Sequence, residues 1–306
     1  MRWVIGIDGG GTKTSGALAD ASGRITARAV GESTNPYLNP PEVVEANFRA
    51  IAYELMSRSG VGAETIDGVC LGLSGCDRPG DRAPLEAMVK RVFPQARAVA
   101  TNDALVALVG GCGELNGVMV ISGTGSIAYG FTPDGRSARA GGYGQWLGDE
   151  GSGFTIAHRG LIAVMRAADG REPPTAIRER VLSHLSIAEP MGLMPWMREH
   201  GPDKAAVAAL APLVIAAAEQ GDPAALDILR WAAKELALAA IAVARRLWPD
   251  GEKFPVVVGG SNLRRVPFLY DRFKAEMASQ NPAATVMQPR AEPADGACFY
   301  LLQLRD

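Results

Sequence analysis

The sequence is poor in cysteine and carries no excess of one charge. Its 306 residues include four cysteines, which form no C-x-x-C pair and show no metal-ligand spacing. We therefore expect buried, reduced thiols. The 31 basic and 33 acidic residues leave a net charge of −2, without a long basic run. This balance argues against a nucleic-acid partner.

Long apolar runs are also missing. The longest, Leu236–Ala244, is far shorter than the roughly 20 residues that span a bilayer. The first residues lead straight into a predicted strand, without the pattern of a signal peptide. We expect a cytoplasmic protein with no membrane partner.

Two common phosphate-binding motifs are absent. A Walker A loop needs Gly-Lys-[Ser/Thr], but Thr12 separates Gly11 from Lys13. A dinucleotide fingerprint needs a last glycine where Thr14 stands, and it opens a helix, whereas a strand is predicted here. Any phosphate site at this glycine run is therefore of another kind.

What the sequence does have is a glycine turn between two predicted strands at its start. Glycine tolerates positive φ and lacks a Cβ, so the amides of such a turn can converge on an anion. The candidate phosphate ligands are Gly9, Gly10, Gly11, Thr12, Lys13 and Thr14. Asp8, at the end of the first strand, could hold a hydrated Mg²⁺ beside a phosphate. The alternative is an ordinary hairpin, for which three consecutive glycines are more than is needed.

The pattern then repeats. A third strand near 25–30 completes a meander, and alternating strands and helices follow, which indicates α/β layering with parallel strands. Near residue 116 a second apolar strand and a Gly/Thr/Ser turn mirror the opening. We predict a duplicated fold with a second phosphate loop at Gly123, Thr124 and Gly125, facing the first across a cleft. The predicted domains are 1–115 and 116–293, with a final helix in 294–306 that packs back on the first.

Four segments carry a family resemblance: 8–14, 101–104, 121–126 and 258–262. Their order and spacing resemble the superfamily of sugar kinases, actin and heat-shock ATPases, and within it the BadF/BadG/BcrA/BcrD-type ATPases. The segment 141–152, GGYGQWLGDEGS, is similar to one in the N-acetylglucosamine kinases of that family. The resemblance implies a duplicated actin-like (ribonuclease H-like) ATPase fold of two domains around a nucleotide cleft.

The resemblance also implies ligand contacts. Residues that would contact sugar are Asn35, Asp103, Thr124, Gly141, Gly142, Tyr143, Gly144, Gln145 and Asp149. Residues that would contact nucleotide are Thr12, Gly260 and Ser261. Nothing in 171–221 aligns with the family, so no adenine contact is assigned there.

Two aspartates have structural alternatives. Asp103 is the candidate base that deprotonates a sugar hydroxyl. By spacing alone it is better explained as a first-turn acid beside an Asn102 N-cap, and only the resemblance favours the base. Asp149 and Glu150 precede a helix and could be caps; we favour Asp149 as a sugar-hydroxyl acceptor.

The implied activity is transfer of the γ-phosphate of ATP, with Mg²⁺, to the 6-hydroxyl of N-acetylglucosamine by a homodimer. One alternative is another amino sugar, such as glucosamine. Another is an ATP-driven activator of a radical dehydratase or reductase, which would hold an iron–sulfur cluster between subunits through cysteines.

Overall fold

The computed structural model describes residues 2–74, 76 and 79–304. These residues form two compact units, each containing a five-stranded sheet. Unit 1 draws on 1–119, 131–135 and 288–306, and unit 2 on 120–130 and 136–287. The predicted domain limits at 115/116 and 293/294 stay predictions, because compactness alone does not define an independently folding domain.

The sheet of unit 1 has the order β3-β2-β1-β4-β5. Its strands are β1 (Trp3–Gly9), β2 (Thr14–Asp20), β3 (Ile25–Gly31), β4 (Ile66–Leu73) and β5 (Arg97–Asn102). The first three pair antiparallel, while β4 runs parallel to β1 and β5 parallel to β4. The predicted meander followed by parallel strands is confirmed.

Helices cover both faces of this sheet. One face packs its apolar side chains, such as Ile7 and Leu71, against α1 (Pro41–Ser59) and α2 (Pro79–Val92). The other face carries glycine at alternate positions and contacts α3 (Asp103–Cys112) and α12 (Pro293–Gln303). A Cβ on Gly6 would lie 2.2 Å from the Ala294 carbonyl oxygen. The glycine therefore lets α12 approach β1 closely.

The sheet of unit 2 has the order β10-β9-β6-β7-β8. Its strands are β6 (Gly117–Ser122), β7 (Ser126–Phe131), β8 (Ser137–Gly141), β9 (Phe254–Gly259) and β10 (Ala284–Met287). Counted along each sheet's own strands, both orders are third, second, first, fourth, fifth. This shared topology confirms the predicted duplication.

The helices of unit 2 follow β8 and β9. They are α4 (Gly153–Ala168), α5 (Ile177–Leu185), α6 (Leu193–His200), α7 (Lys204–Ala208), α8 (Ala211–Glu219), α9 (Pro223–Leu247), α10 (Gly260–Arg265) and α11 (Pro267–Gln280). Asp222 caps α9, as its position before Pro223 suggests: its Oδ1 accepts from the Ala225 amide at 2.9 Å. Among the described residues, no helix is both long and apolar enough to cross a membrane.

Some elements differ from the sequence-based expectation. The sequence predicts a short helix from Leu85 to Phe93, but helix α2 already begins at Pro79. The sequence predicts a glycine turn after β9, but a helix, α10, begins there, and its first residue, Gly260, has a positive φ. Strands β8 and β10 have no counterpart in the prediction. Both are short, and in β10 only Val286 is buried, so no apolar alternation marks them.

Candidate functional site

The first phosphate loop is a tight turn with an exposed tip. Gly9 pairs with Thr14 across the hairpin, and the Gly10 amide donates to the Lys13 carbonyl at 3.1 Å. Gly11, Thr12 and Lys13 are exposed. The amides, the Thr12 hydroxyl and the Lys13 ammonium are thus presented to solvent, as an anion site requires.

Thr14, by contrast, is fully buried and lies beneath this turn. Its Oγ1 lies 2.9 Å from Thr34 Oγ1 and accepts from the Thr34 amide at 2.9 Å. Ser33 Oγ donates to the Gly10 carbonyl at 2.9 Å. The polar loop after β3 therefore braces the glycine turn. The spacing of Ser33 and Thr34 in the sequence does not reveal that they support this turn.

Asp8 and Asp103 lie at the same edge of the sheet. Asp8 is in register with Gly72 of β4, and Asp103 follows Asn102, whose register partner on β4 is Leu73. Burial, and then the negative charges of Asp103 and Glu292, raise the pKa of Asp8 to about 7, while Lys13 lowers it. These parallel strands thus end in a concentration of negative charge, at the edge where α/β folds bind ligands.

The helix-capping alternative for Asp103 is correct in part. Asn102 caps α3, accepting from the Leu105 amide at 2.9 Å through its side chain. Asp103 is the first residue of the helix, and its Oδ1 accepts from the Ala104 amide at 2.9 Å. Asn102 provides the N-cap, so the Asp103 carboxylate is not needed for it. This half-buried carboxylate is therefore compatible with a second role, that of a base.

The donor set of unit 1 suits a cation held by few protein ligands. Asp8 is a half-buried carboxyl whose charge is disfavoured by burial and by two acidic neighbours, so a divalent cation there would relieve repulsion. No cluster of three or more His, Cys, Asp or Glu with metal-binding geometry occurs in the described part of the chain. Mg²⁺ typically takes one or two carboxylates and completes its shell with water and phosphate. Glu292, which the sequence analysis did not single out, contributes to this charge from the start of α12.

Asn35 lies in the same polar loop. It is buried, and its Oδ1 accepts from the Tyr37 amide at 2.9 Å. Its carbonyl accepts from the amides of Leu38 and Asn39. This Asx turn fixes Asn35 two residues after Ser33, which contacts the glycine turn. Unit 1 thus brings together Asp8, Asp103, Asn35 and the first loop.

The second phosphate loop is tighter than the first and is braced on more sides. Its Gly123 amide donates to the Gly125 carbonyl at 2.9 Å, and its Gly123 carbonyl accepts from the Gly153 amide at 2.7 Å. Asn262 Nδ2 donates to Ser122 Oγ and to the Gly123 carbonyl, each at 3.2 Å. A Cβ on Gly260 would lie 2.2 Å from the Ser122 carbonyl oxygen, so only glycine allows α10 to begin against this loop.

A cavity of about 270 Å³ opens beside this loop. Its lining is Gly123, Thr124, Gly153, Ala205, Ala208, Ala209, Ala211, Pro212, Ser261 and Asn262. The loop residues and Ser261 were predicted, but the residues from α7 and α8 were not. The spacing of Ala205, Ala208, Ala209 and Pro212 matches one face of a helix, which is the signal that could have indicated them. A larger cavity of about 730 Å³, between α4 and α9, includes none of the predicted site residues.

The segment Gly141–Gln145 leaves β8 as an exposed loop. Its three glycines all have positive φ, and Tyr143 is 60% exposed. The Arg139 guanidinium lies 5.4 Å from the centroid of the Tyr143 ring. Gln145 Nε2 donates to the Pro202 carbonyl at 3.3 Å. The loop therefore presents backbone and an aromatic face to solvent and is attached at Gln145 to the segment before α7.

Asp149 is the most constrained of the predicted sugar ligands. It is 2% exposed and has a φ of 62°, a left-handed conformation that is rare outside glycine. Its Oδ1 accepts from the Ser126 amide at 3.2 Å, and its Oδ2 lies 2.5 Å from Lys204 Nζ. The capping alternative is wrong for this side chain, because Ser152 caps α4. Unit 2 thus gathers the second loop, Ser261, Gln145 and Asp149 around α7.

The chain is similar to known proteins over nearly its whole length. The chain is 31% identical over 297 residues to an N-acetylmuramic acid/N-acetylglucosamine kinase of Clostridium acetobutylicum, covering 97% of each chain. It is 33% identical over 309 residues to an N-acetyl-D-glucosamine kinase of Dictyostelium discoideum, again covering 97% of each. A crystal structure described as a putative N-acetylglucosamine kinase from Chromobacterium violaceum superposes with a TM-score of 0.71 at 28% identity, covering 99% of both chains.

The family model of these ATPases matches almost the whole chain, from residue 5 to residue 300, and so includes both glycine loops, nearly all of both sheets and most of α12. The protein is a member of the BadF/BadG/BcrA/BcrD ATPase family.

Proposed function

We propose that this protein transfers the γ-phosphate of ATP to the 6-hydroxyl of N-acetylglucosamine. The observation that carries the proposal is one edge of the sheet of unit 1. There Asp8, near the end of β1, and Asp103, just after β5, lie on either side of β4, and the exposed glycine turn follows Asp8. Phosphoryl transfer asks mainly for positioning and charge neutralisation. Two relatives of nearly equal length carry the corresponding activity in their names.

In unit 1 we assign Asp103 as the base that takes the proton of the attacking hydroxyl. Its carboxylate is half-buried at a helix start, where it is fixed by the Ala104 amide. The turn amides, Thr12 and Lys13 would bind phosphate oxygens. Asn35 would donate to sugar oxygens, while Thr14 acts on the nucleotide indirectly, by holding the turn from beneath.

Asp8 is the residue we assign to Mg²⁺. When bound, the ion would neutralise charge on the phosphates that the turn holds. The raised pKa of Asp8 fits this role, since a carboxyl surrounded by acids gains most from a nearby cation.

In unit 2 the cavity beside the second loop suits a nucleoside. Its walls are alanine methyls and glycine backbone, with Thr124, Ser261 and Asn262 as polar groups, which is the usual make-up of a small-molecule site. Gly260 and Ser261, at the start of α10, would contact the nucleotide. Gly141–Gln145 and Asp149 would contact the sugar through backbone, the Tyr143 ring and the Asp149 carboxylate.

The burial of the cysteines weighs against the iron–sulfur alternative. Cys70, Cys76, Cys112 and Cys298 are all buried. Burial raises the thiol pKa of Cys70 and Cys298 far above the ordinary value, so neither is disposed to be a thiolate. A cluster shared between subunits needs cysteines at the protein surface. We also propose that the kinase is a cytoplasmic homodimer, which light scattering of the purified protein and fractionation of the source cells would test.

A coupled ADP-release assay over a panel of sugars tests the activity. We expect N-acetylglucosamine to raise ADP release at least about tenfold over ATP alone, which is roughly 1.4 kcal/mol on the barrier. The 6-deoxy sugar is the matched control and should not be phosphorylated. N-acetylmuramic acid and glucosamine belong in the panel, because strong stimulation by either alone would correct the substrate. Equal ADP release with and without every sugar would contradict the proposal.

A further inference from the structure

A lysine from the helical part of unit 2 lies against the second phosphate loop. Lys204 is the first residue of α7, and its Nζ lies 2.5 Å from Asp149 Oδ2. The same Nζ is 2.5 Å from the point where a Cβ on Gly125 would stand. The loop itself contains no basic residue. The cation that Lys204 places beside the loop is therefore supplied by tertiary structure.

The partner of Lys204 is an incompletely satisfied carboxylate. The Asp149 side chain is 3% exposed, against 31% for Lys204. Its Oδ1 accepts from the Ser126 amide, but its Oδ2 has no aligned hydrogen-bond donor among the described residues. The ammonium thus holds Oδ2 by charge alone. A buried carboxylate that loses its only counter-ion is strongly destabilised unless another donor replaces it.

The residues around Lys204 connect three parts of the site. Ala205, the next residue, lines the cavity beside the second loop. Pro202, two residues earlier, accepts the hydrogen bond from Gln145 of the exposed glycine loop. The segment 202–205 therefore contacts the nucleoside cavity, the phosphate loop and the predicted sugar loop at the same time.

We propose that Lys204 is a phosphate-binding residue that exchanges partners, and this inference rests on the proposed kinase function. Without nucleotide, its ammonium pairs with Asp149. When phosphate oxygens occupy the second loop, the ammonium moves to them, because they carry more charge than one carboxylate and the four-carbon stem of lysine is flexible. Asp149 Oδ2 is then free to accept from sugar hydroxyls, which supply the donors that it lacks.

Nucleotide and sugar therefore bind with positive coupling in this scheme. ATP removes the cation that competes with the sugar for Asp149, and sugar hydroxyls replace the interaction that Asp149 loses. The coupling must be reciprocal, so that the sugar tightens nucleotide binding by the same factor.

Isothermal titration calorimetry with a non-hydrolysable ATP analogue and N-acetylglucosamine tests this scheme without turnover. In the wild-type protein we expect the analogue to tighten sugar binding about tenfold, a coupling of roughly 1.4 kcal/mol. Lys204→Met should weaken analogue binding at least tenfold and make sugar affinity the same, within twofold, with and without analogue. Lys204→Arg keeps the charge and should retain most of the coupling. Lys274→Met, an exposed lysine of α11, is the matched control and should behave as wild type.

Three results would overturn the proposal. The first is no coupling in the wild-type protein. The second is wild-type analogue affinity and coupling in Lys204→Met. The third is a Lys204→Met protein whose sugar affinity falls by the same factor with and without analogue, so that the coupling keeps its wild-type value. Lys204 would then only support the Asp149 backbone. If Lys204→Met does not fold, Lys204→Gln and Lys204→Arg give the same comparison of charge lost and charge kept. Analogue binding is measured directly, so it tests Lys204 even if no sugar is phosphorylated.

Discussion

The two phosphate loops have the same place in two sheets of the same topology, yet they obtain their charge and rigidity differently. The first, Gly9–Thr14, carries its own cation, Lys13, on an exposed tip, and is braced from one side by Ser33 and Thr34. The second has no cation of its own and is enclosed by hydrogen bonds from distant elements.

This difference shows what duplication preserved and what it left free. Both copies keep a strand, a glycine-containing turn and a return strand, the local geometry in which backbone amides can converge on an anion. Acidic groups accumulate at the first copy, where Asp8, Asp103 and Glu292 interact. At the second copy the acid Asp149 is paired with Lys204. The two copies therefore differ in their charge: acidic side chains cluster at the first loop, whereas the acid at the second loop has a lysine partner.

The largest expected effect tests the proposed role of Asp103, one of the acidic residues at the first copy. Asp103→Asn keeps the shape of the side chain but cannot take a proton, so kcat should fall by a factor of about 10²–10⁴ with little change in the KM for sugar. Steady-state kinetics measure both constants. Asp81→Asn is the matched control, because Asp81 is also an acid in the first turn of a helix. An unchanged kcat in Asp103→Asn would leave Asp103 with the helix-dipole role alone.

A smaller effect tests the difference in bracing. Asn262→Ala removes a buried side chain that donates to Ser122 Oγ and to the Gly123 carbonyl, and we expect it to lower the free energy of unfolding by about 2–3 kcal/mol. Ser33→Ala removes a part-buried hydroxyl that donates to the Gly10 carbonyl and accepts from the Asn35 amide and Asn39 Nδ2, and it should cost about 1 kcal/mol. Urea denaturation of the two variants measures both. Equal losses would mean that the loops are braced equally.

A third effect concerns the stability cost of the Asp8 carboxylate. The pKa of Asp8 is raised from 3.8 to about 7 in the folded protein. The folded state therefore holds the Asp8 proton more tightly than the unfolded state. The resulting stabilisation is fully present below pH 4 and is lost as the pH rises through about 7, where the charged carboxylate becomes a cost. Asp8→Asn removes the charge, and it should abolish turnover while stabilising the protein by on the order of 1–2 kcal/mol at pH 8.

The pH dependence is the control for that prediction. The stability difference between Asp8→Asn and wild type should shrink towards zero near pH 4, measured by thermal unfolding without Mg²⁺ or nucleotide. Asp20→Asn, at an exposed turn where hydrogen bonds from Ser22 and Arg24 lower the pKa of the aspartate, should not become more stabilising with rising pH. A pH-independent difference at position 8 would contradict the charge argument.

The sequence determined what depends on short spacing and on general topological rules. Apolar runs, glycines and caps predicted the two strand–turn–strand repeats, the meander and the edge at which Asp8 and Asp103 lie, because parallel strands end at the same side of a sheet. Asn102, Ser152 and Asp222 are caps that their local sequence permits. The order of four motifs was enough to indicate the family.

Only the tertiary structure decided which distant side chains complete the loops. No periodicity in the sequence relates Lys204 to Asp149 or Ser33 to Gly10. The helical spacing of the alanines in α7 and α8 does not reveal that this face lies beside Gly123. An ion pair or a cavity wall between remote segments arises from packing, since its partners share no local conformational preference that a pattern could reveal. For the same reason the buried position of Thr14 and the left-handed backbone of Asp149 emerged only with the fold around them.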